Sequence, residues 1–229
     1  MTAVRSALGL VRRVVMFEIR LWGNLGRWIV RRPRIEPGAT AFGYARAITP
    51  LIVVLVAVSA IEVSVAHLVI PWETVRLVVD LLGLYGLMWM IGLLATLRVN
   101  PHLVSPDGLR VRGEGGLDLT VPWDLIETVQ VDNRMVRGRR VGVDASGGRP
   151  MLYIAVMNQT NVAIVFRGPT VVELPRADTE PVRGLRIAAD DADRLVAAIR
   201  ERLARHPKRG RAAASSPPSW PPAAARETV

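Results

Sequence analysis

The sequence predicts an α+β protein in which a hairpin of two transmembrane helices is followed by a small antiparallel β-barrel or sandwich, capped by a C-terminal helix. Two long apolar runs, then a series of short apolar runs, then an amphipathic run indicate this order. The mean hydropathy is +0.27 although 22% of the residues are charged. Apolar and charged residues must therefore lie in separate segments. We divide the chain into a basic cytoplasmic arm (1–46), the hairpin (47–98), the β domain (99–206) and a disordered tail (207–229).

The first element is the hairpin, formed by residues 47–70 and 75–97. The first run contains one carboxylate and no Lys or Arg. It spans roughly 36 Å as a helix, enough to cross a hydrocarbon core of about 30 Å. Pro71 and a short polar link separate the runs, so the helices must be antiparallel neighbours. The alternative is a pair of core helices in a soluble protein, although two such runs exceed what a small core needs.

Arginine placement predicts the orientation of this hairpin. Residues 1–46 carry nine arginines against two acids, for a charge of +7, whereas the link region holds only Arg76. The positive-inside rule therefore places both termini in the cytoplasm. We predict a multi-pass protein of the plasma (cytoplasmic) membrane.

Four polar residues interrupt the apolar runs. Because the hairpin turns around residues 73–74, Glu62 should lie at the depth of Tyr85, and His67 at the depth of Asp80. A carboxylate near the middle of a bilayer costs several kcal/mol, so a partner or a proton is expected. These residues predict either a proton, ion or ligand site, or hydrogen bonds that lock the packing of the hairpin or of an oligomer.

The arm predicts an amphipathic helix over residues 2–32, with an arginine stripe on one side and Trp22 and Trp28 among its apolar residues. Such a helix suits the surface of an anionic leaflet. The alternative is a helix packed against the β domain or a partner helix, with solvated arginines. The arginines assigned to lipid or partner contact are Arg13, Arg20, Arg27, Arg31 and Arg34.

The β domain shows short apolar runs separated by turn residues, which is typical of a small antiparallel sandwich or barrel. It ends with DDADRLVAAIRERL, where Asp190 or Asp191 can cap a helix that buries Leu195 and Ile199. A second basic segment lies between the strands and consists of Arg134, Arg137, Arg139 and Arg140. It predicts contact with anionic lipid or an acidic partner, or otherwise a solvated loop.

Two segments carry a resemblance to a known family: the joint Asn100-Pro101-His102 and the unit SPDGLRVRGEGGLDLTVPWDLIETVQV. Over residues 48–205 the chain resembles the bacterial PH-domain membrane proteins, which implies a PH-like fold of about seven strands closed by a helix. PH domains that bind phosphoinositides carry Lys and Arg on the first hairpin and its loop. Here Arg110 and Arg112 lie on the strand, but the loop is acidic and has no lysine. The sequence departs from the inositide-binding pattern at this point.

Composition excludes several functions. The chain has no cysteine and only three histidines, with no pair at ligand spacing, so we predict no metal site. The glycine-rich stretches lack nucleotide-binding spacing, and we predict no cofactor and no enzymatic activity. Basic residues are concentrated in the arms rather than in a stripe on the β domain, so no nucleic-acid partner is predicted.

The sequence therefore predicts a non-enzymatic, membrane-anchored interaction or scaffolding module. Its predicted partners are anionic lipids of the inner leaflet and an unidentified protein or a second copy of the chain. The alternative is a small transporter, an ion-handling protein or a membrane-enzyme subunit that uses an intramembrane site at Glu62 and His67.

Overall fold

The computed structural model describes residues 2–113, 116–136, 140–145, 148–172 and 180–205. Arg137, Arg139 and the tail 207–229 lie outside the described residues, as do several side chains in the first half of the first helix, Arg13 among them. The elements are α1 (Thr2–Ile29), β1 (Thr40–Phe42), α2 (Thr49–Val69), α3 (Glu73–Val99), β2 (His102–Val104), β3 (Gly108–Gly113), β4 (Leu117–Pro122), β5 (Ile126–Met135), β6 (Val141–Asp144), β7 (Met151–Ile154), β8 (Gln159–Thr170), β9 (Val182–Ile187) and α4 (Ala192–Arg205).

Helices α2 and α3 confirm the two predicted apolar helices. Each is long and apolar enough to cross a membrane, and only 6% of its most apolar window is buried within the chain. Core helices of a soluble domain would be mostly covered, so the exposed apolar surface argues against that alternative. Helix α3 continues two residues beyond its predicted end, to Val99.

The two apolar helices approach each other closely at Gly83. A Cβ atom at this position would clash with the Val63 side chain. Small residues allow this kind of approach between apolar helices. The contact also joins residues of nearly equal predicted depth, which agrees with a turn around residues 73–74.

Helix α1 packs along the C-terminal half of α3 and runs in the same direction. Leu21 is 2% exposed and lies against Gly92, which leaves no room for a Cβ atom there. One turn further on, Asn24 Nδ2 donates to Thr96 Oγ1 at 3.3 Å. Helix α1 thus packs along a helix of the hairpin, and contact of the arm with lipid stays a prediction.

The β domain consists of two sheets. The first is antiparallel, with strand order β1-β2-β3-β4, and the second has the order β5-β8-β9-β7-β6. The prediction of an antiparallel domain is wrong in one place, since β7 and β9 are parallel and pair Leu152 with Leu185. Strand β9 lies between β8 and β7 rather than at an edge. Alternating apolar residues indicate strands, but they do not indicate which strands become neighbours.

Strand β1 was not predicted, and it changes the boundary of the β domain. It comes from the arm, and it pairs Phe42 with His102 at the start of β2. The whole helical hairpin is therefore inserted between two hydrogen-bonded neighbouring strands. Both ends of the hairpin must therefore leave the domain from the same end of these two strands.

An apolar core lies between the two sheets and α4. Ile126, Leu185, Leu195 and Ile199 are each 0% exposed within it. Helix α4 begins as predicted, because Asp191 Oδ1 accepts the backbone N–H of Arg194 at 3.0 Å.

The close approach at Gly83 gives a test of hairpin packing. Gly83→Leu should lower the melting temperature of the purified full chain in detergent, since overpacking costs about 1–3 kcal/mol. Gly86→Leu is the matched control, because no atom lies within 4 Å of a Cβ built there. Both changes add the same helix propensity. Equal melting temperatures for the two variants would contradict this packing.

Candidate functional site

The base of the hairpin is fixed to the β domain by the Tyr44 ring and by backbone groups of the 43–46 segment. Tyr44 is 3% exposed, and its ring stacks on His102 at a centroid distance of 4.7 Å. The backbone N–H of Arg46 donates to Asp190 Oδ1 at 2.7 Å, and the Asp190 N–H donates to the Gly43 carbonyl at 2.8 Å. Asp190, one of the two predicted capping residues, thus fixes the hairpin entry instead.

Apolar packing continues this junction into the helices. Tyr44 and Ala45 form a cluster with Ile52 of α2 and Leu97 of α3, and Val156 of the β domain packs against it. Residues of the arm, both apolar helices and the domain therefore meet in one place. The hairpin and the domain are held as one body rather than joined by a linker.

His102 is buried as a neutral imidazole. Its Nδ1 accepts the backbone N–H of Arg112 at 3.2 Å, which leaves Nε2 to donate to the Ala188 carbonyl at 3.0 Å. Burial lowers the pKa of His102 to about 4. This side chain ties β2 to β3 and to Ala188, which follows β9 in the second sheet.

Arg110 and Arg112 are occupied by acidic partners within the chain. Arg110 makes two bonds of 2.6 Å to the Asp118 carboxylate and also pairs with Glu36. Arg112 is 6% exposed and donates to the Arg34 carbonyl at 2.6 Å. The residues that resemble an inositide clamp therefore fix the arm to the first sheet.

A separate cationic cavity of about 440 Å³ lies where α1 and α3 end. It is lined by four arginines and an apolar wall, and we call it the arginine cavity. Its members are Arg27, Arg31, Arg32, Arg98, Trp28, Ile29, Pro33 and Val99. It brings together two of the predicted contact residues, Arg27 and Arg31, with two that the sequence reasoning did not include.

The other arm arginines lie apart from this cavity. A guanidinium nitrogen of Arg20 lies 2.8 Å from where a Cβ of Gly116 would be, at the turn between β3 and β4. Arg34 is held at the first sheet, and its backbone N–H donates to the Val99 carbonyl at 3.0 Å. Burial, followed by repulsion from Arg27 and Arg20, lowers the pKa of Arg34. Arg13 belongs to α1, but its side chain lies outside the described part of the chain.

The second basic segment is described only at its ends. Arg134 is exposed and lies 3.5 Å from Asp132, while Arg140 is exposed where the chain enters β6. Arg134 also lines a cavity of about 290 Å³ beside Tyr44 and Asp190. Thr160 lines the same cavity, and its buried Oγ1 has no hydrogen-bond partner among the described residues. Contact of this segment with lipid or a partner stays a prediction.

In the hairpin, the structure brings His67 and Asp80 together. His67 Nδ1 lies 2.7 Å from Asp80 Oδ2, and the second oxygen, Oδ1, is buried without a partner among the described residues. The side chains are 56% and 27% exposed, respectively. This contact joins the two residues that share a predicted depth.

Glu62 and Tyr85 do not meet. The Tyr85 hydroxyl donates instead to Glu18 of α1, a residue that the sequence reasoning did not include. Depth fixes height in a hairpin but not the direction in which a side chain points. Val63 faces α3, so Glu62, one residue earlier, is rotated by roughly 100°. It is exposed and has no hydrogen-bond partner among the described residues.

Comparison of the chain with protein-family models, curated proteins and solved structures gives no match. The function is therefore inferred from the residues and contacts of the chain itself.

The buried imidazole predicts a pH-dependent stability. Unfolding exposes His102, whose pKa then returns from about 4 to 6.5. Its contribution to stability is complete above pH 6.5 and is lost as the pH falls towards 4, a loss of up to about 3 kcal/mol. Thermal unfolding of the full chain in detergent, followed by near-UV circular dichroism between these pH values, measures it.

The control is His102→Gln, which keeps one donor and one acceptor but cannot titrate. We expect it to lose less stability on acidification than the wild-type chain. Parallel curves for the two proteins would show that His102 is not the group responsible.

Proposed function

We propose that the protein is a non-enzymatic, membrane-anchored interaction module whose two apolar helices cross the plasma membrane. The observation that carries this proposal is the insertion of the hairpin between the paired strands β1 and β2. Because both ends of the hairpin leave from the same end of β1 and β2, the hairpin anchors this end of the first sheet directly to the membrane surface. The exposed apolar faces of α2 and α3 provide the surface for lipid.

Two features favour a cytoplasmic position for the β domain. The insertion requires β1 and the rest of the β domain to lie on the same side of the membrane, whatever that side is. Arginine is concentrated at this end, including Arg98 at the end of α3 and the cluster at the end of α1. The positive-inside rule then assigns this side to the cytoplasm.

We further propose that the β domain is PH-like. Two packed sheets and a C-terminal helix over a shared core support this assignment, as does the buried Trp123 of the resembling segment. The Trp123 indole N–H is shared between the carbonyls of Ser105 and Pro106, at 3.1 and 3.0 Å. The parallel β7–β9 pair distinguishes this domain from an all-antiparallel one.

The internal pairing of Arg110 and Arg112 argues for interaction through other surfaces than an inositide clamp. Among the described residues, β5 and β6 are the edge strands of the second sheet, and Met135 at the end of β5 is 78% exposed. Such edges and loops would face a protein partner or a second copy of the chain.

The absence of cysteine from the sequence allows a direct test of topology. Thr74→Cys places one thiol in the link, and Arg183→Cys places one on the exposed surface of the domain. In intact cells, a membrane-impermeant thiol reagent should label residue 74 alone, and residue 183 only after permeabilisation. Labelling of both, or release of the chain by alkaline carbonate, would contradict the proposal.

The contact between His67 and Asp80 favours a second candidate function, a proton- or ion-handling site within the membrane. An imidazole and a carboxylate at 2.7 Å, with one carboxylate oxygen lacking a partner among the described residues, form a pair that can exchange a proton. Glu62 does not join this pair. The site would therefore consist of His67 and Asp80 rather than Glu62 and His67.

Proton flux into liposomes that contain the purified chain tests this candidate. If the pair carries protons, His67→Gln and Asp80→Asn should each reduce the flux to that of empty liposomes, since either change removes the acceptor or the charge. Glu62→Gln should leave it unchanged. Absence of flux with the wild-type chain would exclude a proton pathway and leave the pair as a structural lock.

A further inference from the structure

We propose that the arginine cavity binds the phosphate of an anionic membrane lipid. This site deepens the proposed function and rests on it, because it requires the ends of α1 and α3 to lie at a membrane surface. The cavity is formed by Arg27, Arg31 and Arg32 from the end of the arm helix and by Arg98 from the end of α3.

The four guanidinium groups have no carboxylate within 4.0 Å among the described residues, whereas Arg110 and Arg186 of the β domain do. Arg110 pairs with Asp118 and Arg186 pairs with Asp132, each at 2.6 Å. Arg98 has a hydroxyl contact only, to Thr49 at 3.4 Å. The chain therefore gathers these charges without neutralising them.

Helix dipoles offset only part of this charge. Two helices end at the cavity, and each C-terminus contributes about half a negative charge. Against four guanidinium charges, the cavity keeps about three positive charges. Phosphate is a suitable counterion, because guanidinium groups bind its oxygens through pairs of N–H donors.

The backbone at the end of α1 directs the arginines to one place. The Arg32 N–H donates to the Arg27 carbonyl at 2.9 Å and the Arg31 N–H to the Trp28 carbonyl at 3.0 Å, which is the Schellman arrangement. Arg31 occupies the position with a φ of 52°, where glycine is preferred. The turn folds Arg31 and Arg32 back towards Arg27 and Arg98.

The depth of the cavity suits a lipid headgroup. Helix α3 becomes buried by protein from Gly92 onwards, and Arg98 lies six residues further, roughly 9 Å along the helix axis. A headgroup layer is about 5–8 Å thick on each side of the hydrocarbon. Arg98 therefore lies near the outer limit of the headgroup layer, where its long side chain can reach the lipid phosphates.

The apolar wall favours a lipid over a soluble phosphate. Trp28 and Ile29 are 36% and 69% exposed beside the arginines. A free phosphate makes no use of this surface, whereas the glycerol and first acyl carbons of a lipid would cover it. Tryptophan is also enriched at the level of lipid headgroups.

Native mass spectrometry of the full chain from detergent tests the site, with phosphatidylglycerol and phosphatidylcholine as probes. We expect one phosphatidylglycerol to be retained in preference to phosphatidylcholine. Arg31→Gln/Arg32→Gln should weaken its retention by about tenfold or more, since charge-assisted bonds are lost. Arg149→Gln/Arg183→Gln removes the same charge from exposed positions of the β domain and should retain the lipid.

Two further measurements distinguish a lipid from a soluble phosphate, and this site from the proposed membrane anchor. Displacement of the lipid by millimolar inorganic phosphate or glycerol phosphate would overturn the assignment to a lipid. Equal lipid retention by both double variants would overturn the site while leaving the thiol-labelling topology, and thus the proposed function, intact. Failure of that labelling would instead overturn the membrane anchor itself.

Discussion

The pairing of β1 with β2 is the constraint on which the rest of the structure depends. Phe42 and His102 are neighbours across these strands, yet the entire helical hairpin lies between them in the sequence. Strand pairing holds the two chain passages about 5 Å apart, so α2 must begin beside the end of α3. Burial of Tyr44 against His102, and the hydrogen bonds between Asp190 and the 43–46 segment, then fix the direction in which the helices leave the sheet.

Arginine has different surroundings in the β domain and at the ends of α1 and α3. Within the β domain, arginine serves to fasten segments, as Arg112 does when it holds the Arg34 carbonyl and Arg186 when it pairs with Asp132. At the ends of α1 and α3 the arginines instead face a cavity without carboxylates among the described residues. The net charge of +10 thus overstates the basicity of the β domain.

The sequence predicted the elements that depend only on hydrophobic periodicity and segment length. Two apolar helices, a strand-rich domain and a capped final helix follow from local patterns, and the depth rule paired His67 with Asp80. It did not predict β1, because three residues between prolines and glycines carry too short a pattern. Nor did it predict the Glu18–Tyr85 bond, because the direction of a side chain around a helix depends on which helices become neighbours. The arginine cavity was not predicted: Arg27 and Arg31 are in the predicted stripe, but Arg98 is distant in sequence.

The segment between Arg31 and Glu36 connects the arginine cavity with the β domain. Arg31 and Arg32 line the cavity, the Arg34 carbonyl accepts from Arg112, and Glu36 pairs with Arg110. After burial, repulsion from Arg27 of the cavity is the next cause of the lowered pKa of Arg34. A phosphate in the cavity would reduce this repulsion. Because such coupling is reciprocal, tighter packing of the segment on the first sheet would in turn strengthen lipid binding.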